Sequence, residues 1–295
     1  CASEANPFAG SGGLADVAGS LTHTVCRKGH DCRIVMPLYG TIPYELKCQM
    51  NFITNFTVPV AWRHQYCGLF WARWNDCTYY FIDNEYYFKR DNLYGFYDDA
   101  ERYAFFSRAI LEMLPYIDFH PDLIHTNDWQ TALVPVYYYL FYSKNPWYYN
   151  IKSLFTIHNI QYQGKYGWEV NTECVGIPPT ETKILEMDGK LNMMKGAIFC
   201  STRVNTVSPS YALEIKDPWY SHGLHHALNA NHYKLCGILN GIDQASYDPA
   251  TDYQLYCNYT KEDMSGKGEC KRRLQERLGL EQNWSIPMVA MVTRM

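Results

Sequence analysis

No apolar run in the 295 residues approaches the roughly 18 to 20 needed to cross a bilayer, and no basic segment precedes an apolar one at the start. Charge of one sign is not in excess: charged residues make up 19% and the formal net charge is −4, which argues against disorder and against a polyanion-binding surface. Neither a membrane nor nucleic acid is therefore an expected partner. Eleven cysteines are present, but none forms a C-x-x-C pair, so a disulfide framework is not indicated and a reducing cytoplasm is the expected location. The sequence also has no G-x-S-x-G, no G-x-x-x-x-G-K-[ST] and no H-E-x-x-H, which removes support for serine hydrolases, P-loop enzymes and zincins. His222, His225, His226 and His232 lack acidic partners at ligand spacing and read as a packed or solvated helix face, so no metal is expected.

Aromatic residues are abundant, with 26 Tyr, 13 Phe and 8 Trp, and most are expected to pack in the core. The hydrophobic pattern gives a helix over about 13–28 and a buried strand over 31–38, half of a βα unit whose first strand is expected before Cys1. Alternation over 51–83, broken by Asn75-Asp76, predicts an antiparallel hairpin meander inserted into the fold. Strands at 123–126, 153–158, 203–207 and 236–239 then alternate with helices at 99–114, 129–142, 190–200 and 209–216. This rhythm predicts an α/β, Rossmann-like, doubly wound parallel sheet. A charged helix over about 267–280, with Lys271, Arg272 and Arg273 on a solvated face, leads to a strand at 287–293. The expected domains are 1–285 and the beginning of a second at 286–295. The absence of an initiator Met and the stop directly after that strand suggest a piece of a longer protein.

Ligands of open parallel sheets collect at the carboxyl ends of strands, and four loops there carry polar residues. Gly10-Ser11-Gly12-Gly13-Leu14-Ala15-Asp16 is either a packing turn or a cradle that offers helix N–H groups to a phosphate. It matches G-x-G-x-x-A, but no acidic residue closes the next strand, which disfavours a nicotinamide dehydrogenase. In His125-Thr126-Asn127-Asp128-Trp129-Gln130, helix capping by Asp128 slightly outweighs a functional role. His158-Asn159, with Gln163 following, favours function, because an imidazole and amides project from a strand end. Asn240-Gly241 reads locally as a turn.

In this order the loops resemble the N-terminal catalytic half of bacterial glycogen synthases and plant starch synthases. The resemblance rests on CASEANPFAGSGGLADVAGSL, HTNDWQTALVP, FTIHNIQYQG, NTVSPSYALEI, GILNGID and VAMVTRM, and covers nearly the whole chain. It implies the N-terminal half of a GT-B fold that transfers glucose, with retention, from ADP-glucose to the non-reducing end of an α-1,4-glucan, with no metal and no cofactor beyond the sugar nucleotide. It places Gly12 and Gly13 at the donor diphosphate, Asp16 and Asn240 at the donor site, and Asp128 and His158 at the transfer centre. Asn127, Asn159 and Gln163 fall on the sugar or acceptor side, and Arg294 at the departing phosphate. Gly10 stands where the family motif has lysine. Without the C-terminal GT-B domain the chain is expected to be inactive alone. A non-catalytic glucan-binding or scaffold protein and a UDP-glucose-dependent transferase are the alternatives.

Overall fold

A computed structural model describes residues 1–244 and 247–292. The chain divides into two compact units, 1–241 and 242–295. The first unit opens with helix α1 (Gly13–Arg27), strand β1 (Arg33–Pro37) and helix α2 (Tyr44–Lys47). The predicted meander follows as β2 (Asn51–Val60), β3 (Arg63–Trp74) and β4 (Cys77–Asp83), then helices α3 (Glu85–Phe88) and α4 (Asp99–Glu112). Next come β5 (Leu123–Asn127), α5 (Leu133–Tyr137) and β6 (Lys152–Ile157). Three short strands, β7 (Lys165–Tyr166), β8 (Glu186–Met187) and β9 (Lys190–Asn192), precede α6 (Met193–Cys200), β10 (Arg203–Thr206), α7 (Pro209–Glu214), α8 (His225–Ala230) and β11 (Leu235–Gly237). The second unit contains α9 (Ser265–Arg277).

β11-β10-β6-β5 form one all-parallel sheet, and β1-β4-β3-β2 a second. The meander is more than an insertion: its last strand, β4, pairs parallel with β1 from Arg33 opposite Thr78 to Pro37 opposite Ile82. Asn75 and Asp76, both at positive φ, make the tight turn that joins β3 to β4. Residues 1–3 lie between the sheets. Ala2 N–H donates to Val35 O of β1 at 3.2 Å, the Cys1 ammonium to His125 O of β5 at 2.6 Å, and Asn127 Nδ2 to Cys1 O at 3.0 Å. The N-terminal residues thus occupy the position expected of the strand preceding α1. Strand order reverses around them.

Three sequence expectations are corrected. Lys190–Asn192 is strand rather than helix: it pairs antiparallel with β7 and β8, and α6 starts only after Asn192, whose side chain caps Lys195 N–H at 2.9 Å. The predicted helix over 129–142 is broken into a 3-10 turn (Trp129–Thr131), α5 and a π turn (Tyr138–Tyr142) around Pro135, which has no N–H to give. Residues 287–292 form no strand, and Val289, Met291 and Val292 are exposed, without the paired neighbour a strand needs.

α4 is buried along nearly all of its length and packs on β2, β4 and α5. Tyrosines supply much of this interior, each with a fixed acceptor: Tyr103 Oη bonds Leu93 O at 2.8 Å, Tyr148 Oη Leu111 O at 2.9 Å, and Tyr137 Oη Val175 O at 3.0 Å. Tyr39 and Tyr103 share a hydroxyl pair at 3.1 Å. Arg102, fully buried, holds the loop before α4: it donates to Asp99 Oδ1 at 2.5 Å, Tyr87 O at 2.7 Å and Leu93 O at 3.1 Å. The other oxygen of Asp99 takes Gly95 N–H at 2.8 Å. In the second unit, Arg272 and Arg273 pair with Glu269 on an exposed face of α9, whereas Lys271 donates to Trp284 O and Ile286 O.

Removing one partner of a buried ion pair strands the other charge, so Arg102→Met is expected to lower unfolding stability by about 3–5 kcal/mol in urea titrations. Asp99→Asn combined with Arg102→Met should cost less than the sum of the single changes. A loss under about 1 kcal/mol for Arg102→Met would refute the role of this pair.

Candidate active site

The loops that leave residues 1–3, β5 and β6 meet where strand order reverses, the place where open α/β sheets bind ligands. Asp128 leaves β5 with φ 56° and ψ −177°, a region nearly confined to glycine and costing on the order of 1–3 kcal/mol elsewhere. Its backbone is fixed by Asp128 N–H to Thr156 O at 3.0 Å and by Thr131 N–H to Asp128 O at 3.2 Å. The side chain caps no helix, contrary to the local expectation. It reaches across to the β6 loop, where Oδ1 accepts His158 N–H at 2.8 Å and, more distantly, Asn159 N–H at 3.4 Å.

Asn127 completes the frame. Its Nδ2 donates to Cys1 O, so the Oδ1 that lies 2.9 Å from His158 Nε2 is an acceptor and assigns the imidazole proton to Nε2. His158 Nδ1 then carries the free lone pair. Burial lowers the His158 pKa to about 4, so the ring is neutral at pH 7. Burial moves Asp128 the other way, up to about 7, against the two backbone N–H groups that favour its carboxylate and with Glu4 adding to the rise. Beneath them His125, lowered to about 3 by burial, contacts Thr156 Oγ1 through Nε2 at 2.6 Å. Thr156 in turn donates to Asn205 Oδ1 at 2.5 Å, which makes His125 Nε2 the donor and locks three adjacent strands together.

Two residues that sequence reasoning did not single out shape the glycine loop. Glu4, 3% exposed, accepts from Ser11 N–H at 2.6 Å and Ser11 Oγ at 2.8 Å. Asn6 donates to Asp16 Oδ1 at 2.6 Å. Gly12 is extended and no side chain caps α1, while a Cβ at Gly13 would meet nothing within 4 Å. The loop is therefore open on the side of the helix N–H groups. Gly10 is different: a Cβ there would lie 2.7 Å from Ala15 Cβ and 2.9 Å from Asn6 Oδ1, so any side chain requires the loop to move off α1. A cavity of about 580 Å³ borders this loop, with Thr41, Asp91, Asn92 and Tyr94 on its other side.

The remaining predicted residues are dispersed. Gln163 is buried, its amide occupied by Ile160 O at 2.8 Å and Asn192 Nδ2 at 2.7 Å, so in this structure it holds its own loop. Asn159 and Asn240 are exposed, Asn159 beside Asp128 and Asn240 on the loop after β11. Arg294 lies outside the described residues. Among the described residues no group of three or more His, Cys, Asp or Glu can hold a metal ion, and no helix is long and apolar enough to cross a membrane.

Residues 1–230 match the family model described as the starch synthase catalytic domain. The chain is 48% identical over 298 residues to a glycogen synthase of Clostridium botulinum (strain Eklund 17B / Type B), covering 100% of this chain and 62% of that protein. To the glycogen synthase of Bacillus subtilis (strain 168) it is 44% identical over 295 residues, covering 99% and 61%. It thus spans about three fifths of the length of these relatives. The structure matches the catalytic domain of starch synthase IV from Arabidopsis thaliana bound to ADP and acarbose, with TM-score 0.84, 33% identity, and coverage of 95% of this chain and 58% of that one. The α/β fold is accordingly that of a GT-B glycosyltransferase, as the sequence resemblance implied.

The two opposed shifts give pH signatures of opposite sign. Asp128, raised in the folded state, contributes stability that is full below its unfolded value near 3.9 and is lost as pH climbs toward about 7. His158, lowered, contributes stability that is full above about 6.5 and is lost as pH falls toward about 4. In NMR titration the His158 ring should protonate near pH 4, and Asp128→Asn should flatten the decline in stability between pH 4 and 7. A midpoint at pH 6 or above would contradict the neutral imidazole.

Proposed function

Because the chain belongs to the starch synthase catalytic domain family, we propose that it forms the acceptor-side half of a retaining glucosyltransferase that extends an α-1,4-glucan from ADP-glucose. The observation that carries this reading is the frame around His158: a neutral imidazole with its Nε2–H held by Asn127, its backbone held by Asp128, at the reversal of strand order. Breaking a glycosyl–diphosphate bond builds positive charge on the sugar and negative charge on the leaving group. A neutral, fixed histidine beside the sugar positions it without adding repulsion, and the uncapped N-terminus of α1 supplies N–H dipoles to the departing diphosphate. The binding of ADP by the starch synthase IV domain supports the adenine nucleotide as donor.

The nucleotide in this reading is held mainly by a second Rossmann-like domain, for which the relatives' additional length provides the sequence, and this chain is inactive without it. No metal or further cofactor is called for. A second reading, a glucan-binding protein without transfer, draws on Gly10, where the family's lysine is missing and the loop has closed on α1.

Labelled glucosyl incorporation into glycogen, measured with the second GT-B domain of this reading present on the chain, separates the two. ADP-glucose is expected to be used in preference to UDP-glucose, and His158→Ala to lower kcat by about a hundredfold or more with the fold intact. No incorporation from either donor would favour the binding reading.

A further inference from the structure

The carboxyl-terminal end of α1, opposite the glycine loop, gathers thiols and an imidazole that the proposed transfer does not use. His23 and Cys26 lie three residues apart and share a face of α1. Cys77 opens β4 directly after the Asn75-Asp76 turn. Cys77 Sγ is 3.1 Å from His23 Nδ1, and α1 packs against β4, which brings the start of β4 to the face of α1 that His23 and Cys26 share. Cys26 also donates to Cys32 O at 3.2 Å.

The tautomer of His23 follows from the other side of its ring. Tyr79 Oη gives its single proton to Asn6 O at 2.9 Å, so toward His23 Nε2, 3.3 Å away, it is an acceptor and Nε2 carries the ring proton. With the proton on Nε2, Nδ1 is the nitrogen left to take the Cys77 S–H. Asn75 O, which can only accept, stands 3.1 Å from the same nitrogen and bonds to it once Nδ1 carries the proton taken from Cys77.

We propose that Cys26 and Cys77 form a thiol–disulfide exchange site in which partly exposed Cys26 reacts with a small disulfide and buried Cys77, with His23 as base, resolves the adduct. In the first step the Cys26 thiolate attacks one sulfur of the disulfide, forming a mixed disulfide and releasing one small thiol. In the second, Cys77 passes its proton to His23 Nδ1 and attacks Cys26 Sγ, which releases the second small thiol and leaves a Cys26–Cys77 bond. Two protein thiols are oxidised and one small disulfide is reduced to two thiols. The order of attack follows from burial: Cys77 is 1% exposed and its thiol is pushed up to about 12, first by desolvation, so it acts only after Cys26 has reacted and only with a base in contact. The product joins α1, whose other end carries Gly12 and Gly13, to the start of β4.

The test exposes the 295-residue chain to oxidised glutathione, quenches in acid, alkylates, digests without reduction and maps peptides by mass spectrometry. A linked Cys26–Cys77 peptide, reversed by dithiothreitol, is expected. Cys77→Ser should stop at a glutathione adduct on Cys26. His23→Gln should form that adduct at the unchanged rate but resolve it at least about tenfold more slowly, a split that a merely structural histidine would not produce. A stable Cys26 adduct in the unaltered chain, a Cys26–Cys32 link, or an unmodified Cys26 would each overturn the proposal. Resolution in His23→Gln as fast as in the unaltered chain would overturn the base.

Discussion

The architecture depends on a seam three residues wide. Cys1–Ser3 run between β1 and β5 and, through hydrogen bonds to Val35 and His125, link the edges of two four-stranded sheets. Chain order reverses at this seam, so the loop after it, the β5 loop and the β6 loop open on one edge. Asn127 ties the arrangement to chemistry, because the amide that grips Cys1 O with one end orients His158 with the other. A displacement of the seam would therefore be felt first as a rotated imidazole.

Asp128 carries the second constraint. Its unusual backbone aims its carboxylate at the N–H groups of the neighbouring loop instead of at its own helix. Two loops from different strands thereby act as one rigid edge. The same burial that raises the carboxylate lowers the imidazole beside it, so a neutral donor–acceptor ring and a readily protonated acid share the site near pH 7. The thiol cluster at the far end of α1 meets this edge through the helix and through Tyr79, whose hydroxyl stands between His23 and Asn6 O, but the chemistry proposed there uses none of the groups assigned to sugar transfer.

Much of this was legible in the sequence wherever the signal was local. The meander shows in the alternation around Cys67 and Leu69 and in the Asn75-Asp76 turn, and the parallel strands in short β-branched runs. Expectation failed where pairing or its absence is decided at a distance. Lys190–Asn192 becomes a strand only because β7 and β8 lie beside it, and residues 287–292 have no partner strand among the described residues. The site divides in the same way. His158 and Asn159 stand out at a strand end, whereas Glu4 and the Asn127–Cys1 contact, 126 residues apart in sequence, leave no local trace. At Asp128 the local sequence signal favours a helix cap. Its actual partner lies thirty residues on, and only the ordered set of motifs pointed there.

The tyrosine-built interior sets a limit of a different kind. Tyr39, Tyr94 and Tyr103 have their ionisation pushed well above the usual phenol value, first by desolvation. A folded-state value above the unfolded one means that the stabilisation is complete below about pH 10 and drains away as hydroxide increases. A core of leucines has no such ceiling. In this protein the alkaline boundary of the folded state is written in the phenols at its centre, and the first ionisation there removes both a hydrogen-bond donor and the neutrality that burial requires.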